Sequence, residues 1–173
     1  MENTLTQDAF SLSGVKVAMT PMARFEEFLR SRGKRITQQR RTILEQVFSH
    51  HDHFDAENLL AELAREQKAN GKVSRPTVYR TLGELVDAGL LRKMSLNNRS
   101  VYEHDYGYPQ HDHLHCEKCN QLFEFQSEEV SSIRDTVARQ RNFRVTGHRL
   151  IITGICGDCM KANNAPSRRL EMV

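Results

Sequence analysis

The four cysteines of this chain fall in two pairs, Cys116-x-x-Cys119 and Cys156-x-x-Cys159, with 36 residues between the pairs. A two-residue gap lets both sulfurs of one tight turn point at a single ion, and two such turns complete a tetrahedron of thiolates. The pattern predicts one structural Zn2+ held by all four. Disulfides compete for the same residues. However, the N-terminus lacks the basic-then-apolar layout of a secretory signal, with Asp8 interrupting it, so a cytoplasmic, reducing setting is expected. A redox CxxC is the weaker alternative, because two matched pairs serve no thioredoxin-like site. Closed four-sulfur coordination leaves no open position, so this ion is expected to be structural and not catalytic.

Five of the eight histidines stand out: His53, His104, His111, His113 and His115. Singly, each reads as a surface or satisfied core histidine, and it is their arrangement that points to metal. His111-x-His113 on an extended segment places both imidazoles on one face. Glu124 lies among Leu122, Phe123 and Phe125, where an unpaired carboxylate is costly. Glu103 stands just before Tyr106-Gly107-Tyr108-Pro109, the best candidate hinge, and His53 lies in a histidine-rich loop. A site made of His53, Glu103, His111, His113 and Glu124 would draw ligands from both sides of that hinge, so filling it would fix the angle between the two halves. Imidazoles and carboxylates without thiolate suit Fe2+, Mn2+, Co2+ or Zn2+ and favour the less soft of these.

Other parts of the chain must position these residues. A length of 173 residues leaves room for one ordinary domain or two small ones. With 38% hydrophobic residues, 27% charged and a mean hydropathy of −0.62, the composition is that of a soluble protein. No apolar run approaches the ~20 residues needed to cross a membrane. The net charge of +3 is uneven: residues 1–99 carry 16 Lys and Arg against 12 Asp and Glu, and residues 100–173 carry 9 against 10. The basic excess peaks at Arg30, Arg32, Lys34, Arg35, Arg40 and Arg41. A solvated helix face explains many such runs, but here the contrast between halves points to a half that meets nucleic acid.

Helix starts are expected at Thr20-Pro21, Thr37, Asp55, Ser74 and Ser127, with Gly33, Asn70-Gly71 and Gly89 as stops. The apolar stripes are Met22, Phe25, Phe28 and Leu29; Ile43, Leu44, Val47 and Phe48; Leu59, Leu60 and Leu63; Val78, Leu82, Leu85 and Val86; and Val130, Ile133 and Val137. Leu90–Ser95, the turn Asn97-Asn98 and Ser100–His104 form a hairpin pattern. Helices followed directly by a hairpin describe a winged helix-turn-helix, and the fourth helix is then the recognition helix. Its Arg75, Thr77, Tyr79 and Arg80 lie off the apolar stripe and can face a duplex. Beyond the hinge, His113–Cys116 and Gln121–Phe125 read as strands, with one or two more in Phe143–Ile155. The expected organisation is α+β: an arm over 1–19, a winged-helix DNA-binding domain over 20–105, a hinge over 106–110, a small α/β dimerisation and metal-binding domain over 111–160, and a tail over 161–173.

The segments Ser74–Gly89 (SRPTVYRTLGELVDAG), His111–Cys119 (HDHLHCEKC) and Phe123–Phe125 (FEF) resemble signatures of the ferric uptake regulator family, and the likeness covers residues 22–159. The resemblance implies a homodimeric repressor that binds palindromic operator DNA when loaded with a divalent metal. It implies that the four cysteines are structural zinc ligands and that His53, Glu103, His111, His113 and Glu124 form the regulatory metal site. It also implies that Arg35 reaches the minor groove, and that Tyr79 and Arg80 make recognition-helix contacts; Arg40, Arg75 and Thr77 complete the DNA-binding expectation. An extra site in the dimerisation domain is matched only in part. Asp112 and His148 are present, but Gln110 and Ser131 stand where a His and a Glu are usual.

Zinc-sensing relatives usually place a Cys in the regulatory site, and peroxide-sensing ones an Asp where Glu103 and Glu124 stand. Ferrous iron is therefore the expected signal, with zinc, manganese or peroxide response as alternatives. A mononuclear metalloenzyme built on His111, His113 and Glu124 is the rival from another class. Five protein ligands leave little room for a substrate, and no nucleophile–base pair or phosphate-binding glycine loop is present, so no enzyme is expected. A bare zinc-ribbon module leaves the basic half unexplained.

Overall fold

Short polar side chains start the helices, as the sequence predicts. In the computed structural model, which describes residues 17–49, 52–66 and 73–164, Thr20 accepts from the Ala23 amide at 3.2 Å and Thr37 from Arg40 at 3.3 Å. Asp55 accepts from Asn58 at 2.8 Å, Ser74 from Thr77 at 3.4 Å, and Ser127 from Val130 at 3.2 Å. Each satisfies an amide that the first helical turn cannot pair internally. Residues 1–16 of the expected arm, the Asn70-Gly71 stop and the tail beyond Asn164 lie outside the described residues.

The chain divides into two compact units between Pro109 and Gln110. The N-terminal unit contains α1 (Pro21–Ser31), α2 (Gln38–Val47), β1 (Phe54–Asp55), α3 (Ala56–Glu66), α4 (Arg75–Asp87), β2 (Leu91–Leu96) and β3 (Arg99–His104). The strands form an antiparallel sheet in the order β1-β3-β2. β2 and β3 are joined by Asn97 and Asn98 at φ of 48° and 62°. Two consecutive left-handed residues are what a tight hairpin of this hand demands, and asparagine tolerates the conformation better than other side chains. β1, which the sequence does not reveal, is two residues long and pairs Phe54 with Tyr102.

One apolar cluster holds this unit together. Phe25 and Leu29 of α1, Ile43 and Leu44 of α2, Leu59 and Leu63 of α3, and Val78, Leu82 and Leu85 of α4 are all buried in it, with Leu90, Leu91 and Tyr102 from the sheet side. Each such side chain contributes about 1.5–3 kcal/mol on leaving water. Buried among them is Glu84, whose carboxylate receives Arg40 at both oxygens (2.9 Å each) and Lys34 at 2.8 Å. Burial pushes its carboxyl up, but the hydrogen bonds from Arg40 and Lys34 outweigh this and hold it below the usual carboxylate range.

In the C-terminal unit, β4 (Asp112–Cys116) is central, antiparallel to β5 (Leu122–Phe125) and parallel to β6 (Ile151–Gly154). α5 (Glu128–Gln140) connects β5 to residues 143–150, which adopt no regular element, so the stretch expected to hold one or two strands holds one. α6 (Gly157–Asn164) follows β6. α5 departs from the expected inward stripe. Ala138 is buried and Val130, Ser131 and Arg134 are half-buried, whereas Ile133 is 65% and Val137 56% exposed. The helix is turned so that Arg134 reaches polar partners inside the unit, which leaves an apolar stripe on the outside. Among the described residues no helix is long and apolar enough to cross a membrane.

Glu84→Gln is expected to lower the unfolding free energy of the N-terminal unit by about 1.5–3 kcal/mol near neutral pH, because it removes the charge from a group that accepts three charge-assisted hydrogen bonds. The carboxyl titrates lower when folded than when unfolded, so its contribution is present above the usual carboxylate range and is lost as pH falls through the folded value. Urea unfolding of both proteins from pH 7 to pH 3 should show the gap closing at the acid end.

Candidate metal centres and nucleic-acid surface

The zinc candidate is assembled at the ends of strands. Cys116 ends β4, and the turn to β5 passes through Asn120 at φ 60°, with the Asn120 amide donating to the Cys116 carbonyl at 2.8 Å. Cys156 and Cys159 lie at the start of α6, where the Met160 amide donates to the Cys156 carbonyl at 3.0 Å. The four sulfurs all lie within 4.8 Å of one another, and those of Cys119 and Cys156 are 3.8 Å apart. That separation is the edge of a tetrahedron about 2.3 Å from centre to corner, the usual Zn–S distance. It is far too long for a disulfide, and all four cysteines are free thiols.

Electrostatics supports the same assignment. Amide hydrogen bonds from Cys119 and Cys156 bring the Cys116 thiol down to about 6. Hydrogen bonding to the Cys156 sulfur, together with burial, pushes Cys159 up to about 12. Four thiols this close cannot all ionise beside one another, and a divalent cation is what lets them do so. The donor set and its geometry fit Zn2+.

The five residues expected to form the regulatory site divide between the units. In the N-terminal unit, His53 Nε2 lies 3.3 Å from Glu103 Oε2, with Glu103 buried at the base of the hairpin. In the C-terminal unit, His111 and His113 project from the same side of the β4 segment with ring centres 4.9 Å apart. Glu124 is the register partner of His113 on β5, and its Oε1 lies 3.8 Å from His111 Nε2. Two imidazoles and a carboxylate thus share one sheet face. His115 continues that row, with a buried Nε2 that has no hydrogen-bond partner. His104 is different. Its Nε2 bonds the Val47 carbonyl at 2.9 Å and its ring stacks on Phe48, so it is a satisfied core histidine.

Asp112 and His148 do meet, but they form a closed cluster. His148 Nε2 lies 3.0 Å from Asp112 Oδ2, the Leu150 amide donates to Asp112 Oδ1 at 2.9 Å, and Arg134 contacts His148 Nδ1 at 3.2 Å. A guanidinium only donates, so Nδ1 is the acceptor and Nε2 carries the proton given to Asp112. Gln110 bonds the His148 carbonyl at 3.0 Å, and Ser131 is half-buried on the inward face of α5. Arg134 was not singled out in the sequence, because nothing local marks one arginine of a surface helix as inward.

The DNA-binding candidates all lie in the N-terminal unit and take different roles there. Arg35, Arg75, Tyr79 and Arg80 are exposed. The Thr77 hydroxyl is engaged with Ser74 at 2.8 Å, in the cap of α4. Arg40 departs from the exposed position its charge suggests. Its guanidinium is held by Glu84 and donates to the Arg35 carbonyl at 3.0 Å, which fixes the backbone that carries Arg35. Glu84 was missed in the sequence, although a run of six bases with no acid inside it signals that a counter-charge must come from elsewhere.

The sequence matches the family model described as the ferric uptake regulator family over residues 31–153. It is 37% identical over 139 residues to the ferric uptake regulation protein of Rhizobium leguminosarum bv. viciae, covering 79% of this chain and 95% of that protein. Among solved structures, the Vibrio cholerae ferric uptake regulator covers 76% of this chain and 98% of its own, with 29% identity and a TM-score of 0.63. A zinc-bound manganese uptake regulator covers 77% and 98%, with 34% identity and a TM-score of 0.55.

The sulfur geometry leads to a measurable expectation. The protein should bind one Zn2+ per chain that survives dialysis, with four sulfur neighbours in its X-ray absorption spectrum. Cys116→Ser should lose that ion and unfold the C-terminal unit, because binding energy at such a site is part of the folding energy. A folded, zinc-free Cys116→Ser protein would count against the assignment.

Proposed function

Because this chain belongs to the ferric uptake regulator family, whose members are metal-responsive transcriptional regulators, we propose that it represses transcription in response to ferrous iron, binding palindromic operators as a homodimer. The observation that carries the metal response is the buried face on which His111, His113 and Glu124 stand together. Nitrogen and oxygen donors without sulfur suit Fe2+ better than they suit a thiophilic ion. His53 and Glu103 are the further ligands expected from the sequence. Manganese is the second reading, favoured by the likeness to the manganese uptake regulator.

In this reading Cys116, Cys119, Cys156 and Cys159 hold structural Zn2+, and the Asp112–His148 pair, closed by Arg134, takes no metal of its own. Bound regulatory metal neutralises buried carboxylate and fixes the imidazoles, selecting one arrangement from the ensemble. By linkage, operator DNA then tightens metal binding by the same factor that metal tightens operator binding. Arg35 approaches the backbone or minor groove, and Arg75, Tyr79 and Arg80 of α4 meet the major groove. The partner for the outer stripe of α5, with Ile133, Val137 and the 70% exposed Phe143, is a second copy of the chain. A two-fold protein matches a two-fold operator, since one recognition helix spans only a few base pairs.

His113→Ala should abolish metal-dependent operator binding while leaving the four-sulfur zinc in place, as read by fluorescence anisotropy over a range of free Fe2+ and Mn2+. Retention of the metal response in that variant would sink the sensing model. Arg80→Ala should weaken operator binding by about 1–3 kcal/mol and random duplex by less if it reads a base.

A further inference from the structure

Glu57, in the first turn of α3, accepts two hydrogen bonds at one carboxylate oxygen, from the Arg75 guanidinium and from the Tyr79 hydroxyl at 2.7 Å. Arg75 and Tyr79 are four residues apart on the exposed face of α4, with the guanidinium carbon 5.9 Å from the ring centre. A single acidic group thus occupies both the cation and the phenolic donor at the start of this helix. The Tyr79 phenol is held above its usual range, first of all because its proton is bonded to Glu57. The arrangement is open to solvent, with the Arg75 side chain 64% and that of Glu57 53% exposed. An ion pair this exposed is weak and readily exchanged.

Glu57 contributes little to folding, and an anion on a face that meets a polyanion opposes binding. Its carboxylate oxygen has the charge and acceptor geometry of a phosphate oxygen, and Arg and Tyr side chains are common phosphate donors. We propose that Glu57 is an internal stand-in for a DNA phosphate, occupying Arg75 and Tyr79 until a duplex displaces it and thereby setting how tightly α4 holds DNA. This rests on the reading that α4 faces the duplex. A repressor switched by an ion needs low affinity before the ion arrives, and a carboxylate on α3 that reaches the start of the reading helix lowers that background at no cost to the core.

Salt dependence separates this role from simple bracing of α3 on α4. Even when its hydrogen bonds are displaced, the Glu57 carboxylate remains beside Arg75, so the pair brings no net charge to the duplex. Once the carboxylate is gone, Arg75 adds one cation, and the slope of log K against log salt steepens by about 0.9. E57Q should therefore bind both operator and random duplex several-fold more tightly at low salt, with the steeper slope, and should bind operator more readily without regulatory metal. R75A should leave the slope almost unchanged in the wild-type background but remove about 0.9 from it in E57Q. E57A, which lacks the amide, should give the same slope as E57Q. The proposal is overturned if E57Q binds no tighter than wild type, or if the E57Q and E57A slopes differ, since charge is then not the operative property. R80A is the control. If it weakens operator binding while E57Q leaves the slope unchanged, only the role of Glu57 fails. If R80A has no effect on either duplex, α4 does not face DNA, and both readings fall.

Discussion

Strand β4 alternates its side chains between two faces, and the C-terminal unit depends on that alternation. His111, His113 and His115 project to one side, and Asp112, Leu114 and Cys116 to the other. A slip of one residue would exchange the two sets, so register has to be fixed at both edges. On one edge His113 is opposite Glu124, and on the other His113 is opposite Ile151 and Cys116 opposite Gly154. The Leu150 amide bonded to Asp112 and the Cys156 amide bonded to Cys116 at 3.3 Å fasten the β6 side. Apolar packing alone cannot supply this precision. Among the described residues, Cys116 and Ala138 are the only buried apolar side chains this unit contributes. The four-sulfur cluster at the end of β4 brings the β4–β5 turn against the segment after β6, and an ion there would supply the bracing that a larger core supplies elsewhere. An ion held by these four sulfurs would therefore brace the register of the histidine face without itself touching that face.

In the N-terminal unit acidic residues decide what the basic ones can do. Counting bases along residues 30–41 suggests a continuous cationic surface, but Glu84 draws Lys34 and Arg40 onto itself. Arg40 then orders the backbone of Arg35 instead of facing solvent. Glu57 has the same relation to Arg75 and Tyr79 at the surface, where water keeps the interaction weak. The buried carboxylate fixes structure and the exposed one tunes availability. The difference follows from the dielectric surroundings of the two groups.

Features with a local physical cause were legible in the sequence. The five helix starts needed only a hydroxyl or carboxylate before an apolar period, and the hairpin turn needed only residues that tolerate positive φ. Both cysteine pairs and the row His111, His113 and Glu124 were visible from spacing, because a strand's period of two is rigid. What could not be read depends on partners distant in sequence. α5 offered Val130, Ile133 and Val137 as a plausible inner stripe, and nothing within the helix says that Arg134 would turn inward to meet His148, 14 residues away. The pairing of Glu84 with Arg40 spans 44 residues. β1 is too short to leave a pattern.

The alternation of β4 also bears on metal choice. Sulfur and imidazole ligands lie within six residues of each other, and in a flexible chain they could share one ion with mixed coordination, which thiophilic metals favour. Placing Cys116 on one face and His111 and His113 on the other prevents this. An ion at either place would then meet a uniform donor set: four sulfurs on one side, nitrogen and oxygen on the other. Asp112, a potential oxygen donor, is removed from the competition by its bonds to His148 and Leu150, and Arg134 supplies the positive charge that a cation would otherwise bring to that cluster. Selectivity between two such ions would come from which face of one strand each ligand occupies, before any difference in intrinsic affinity between ions enters.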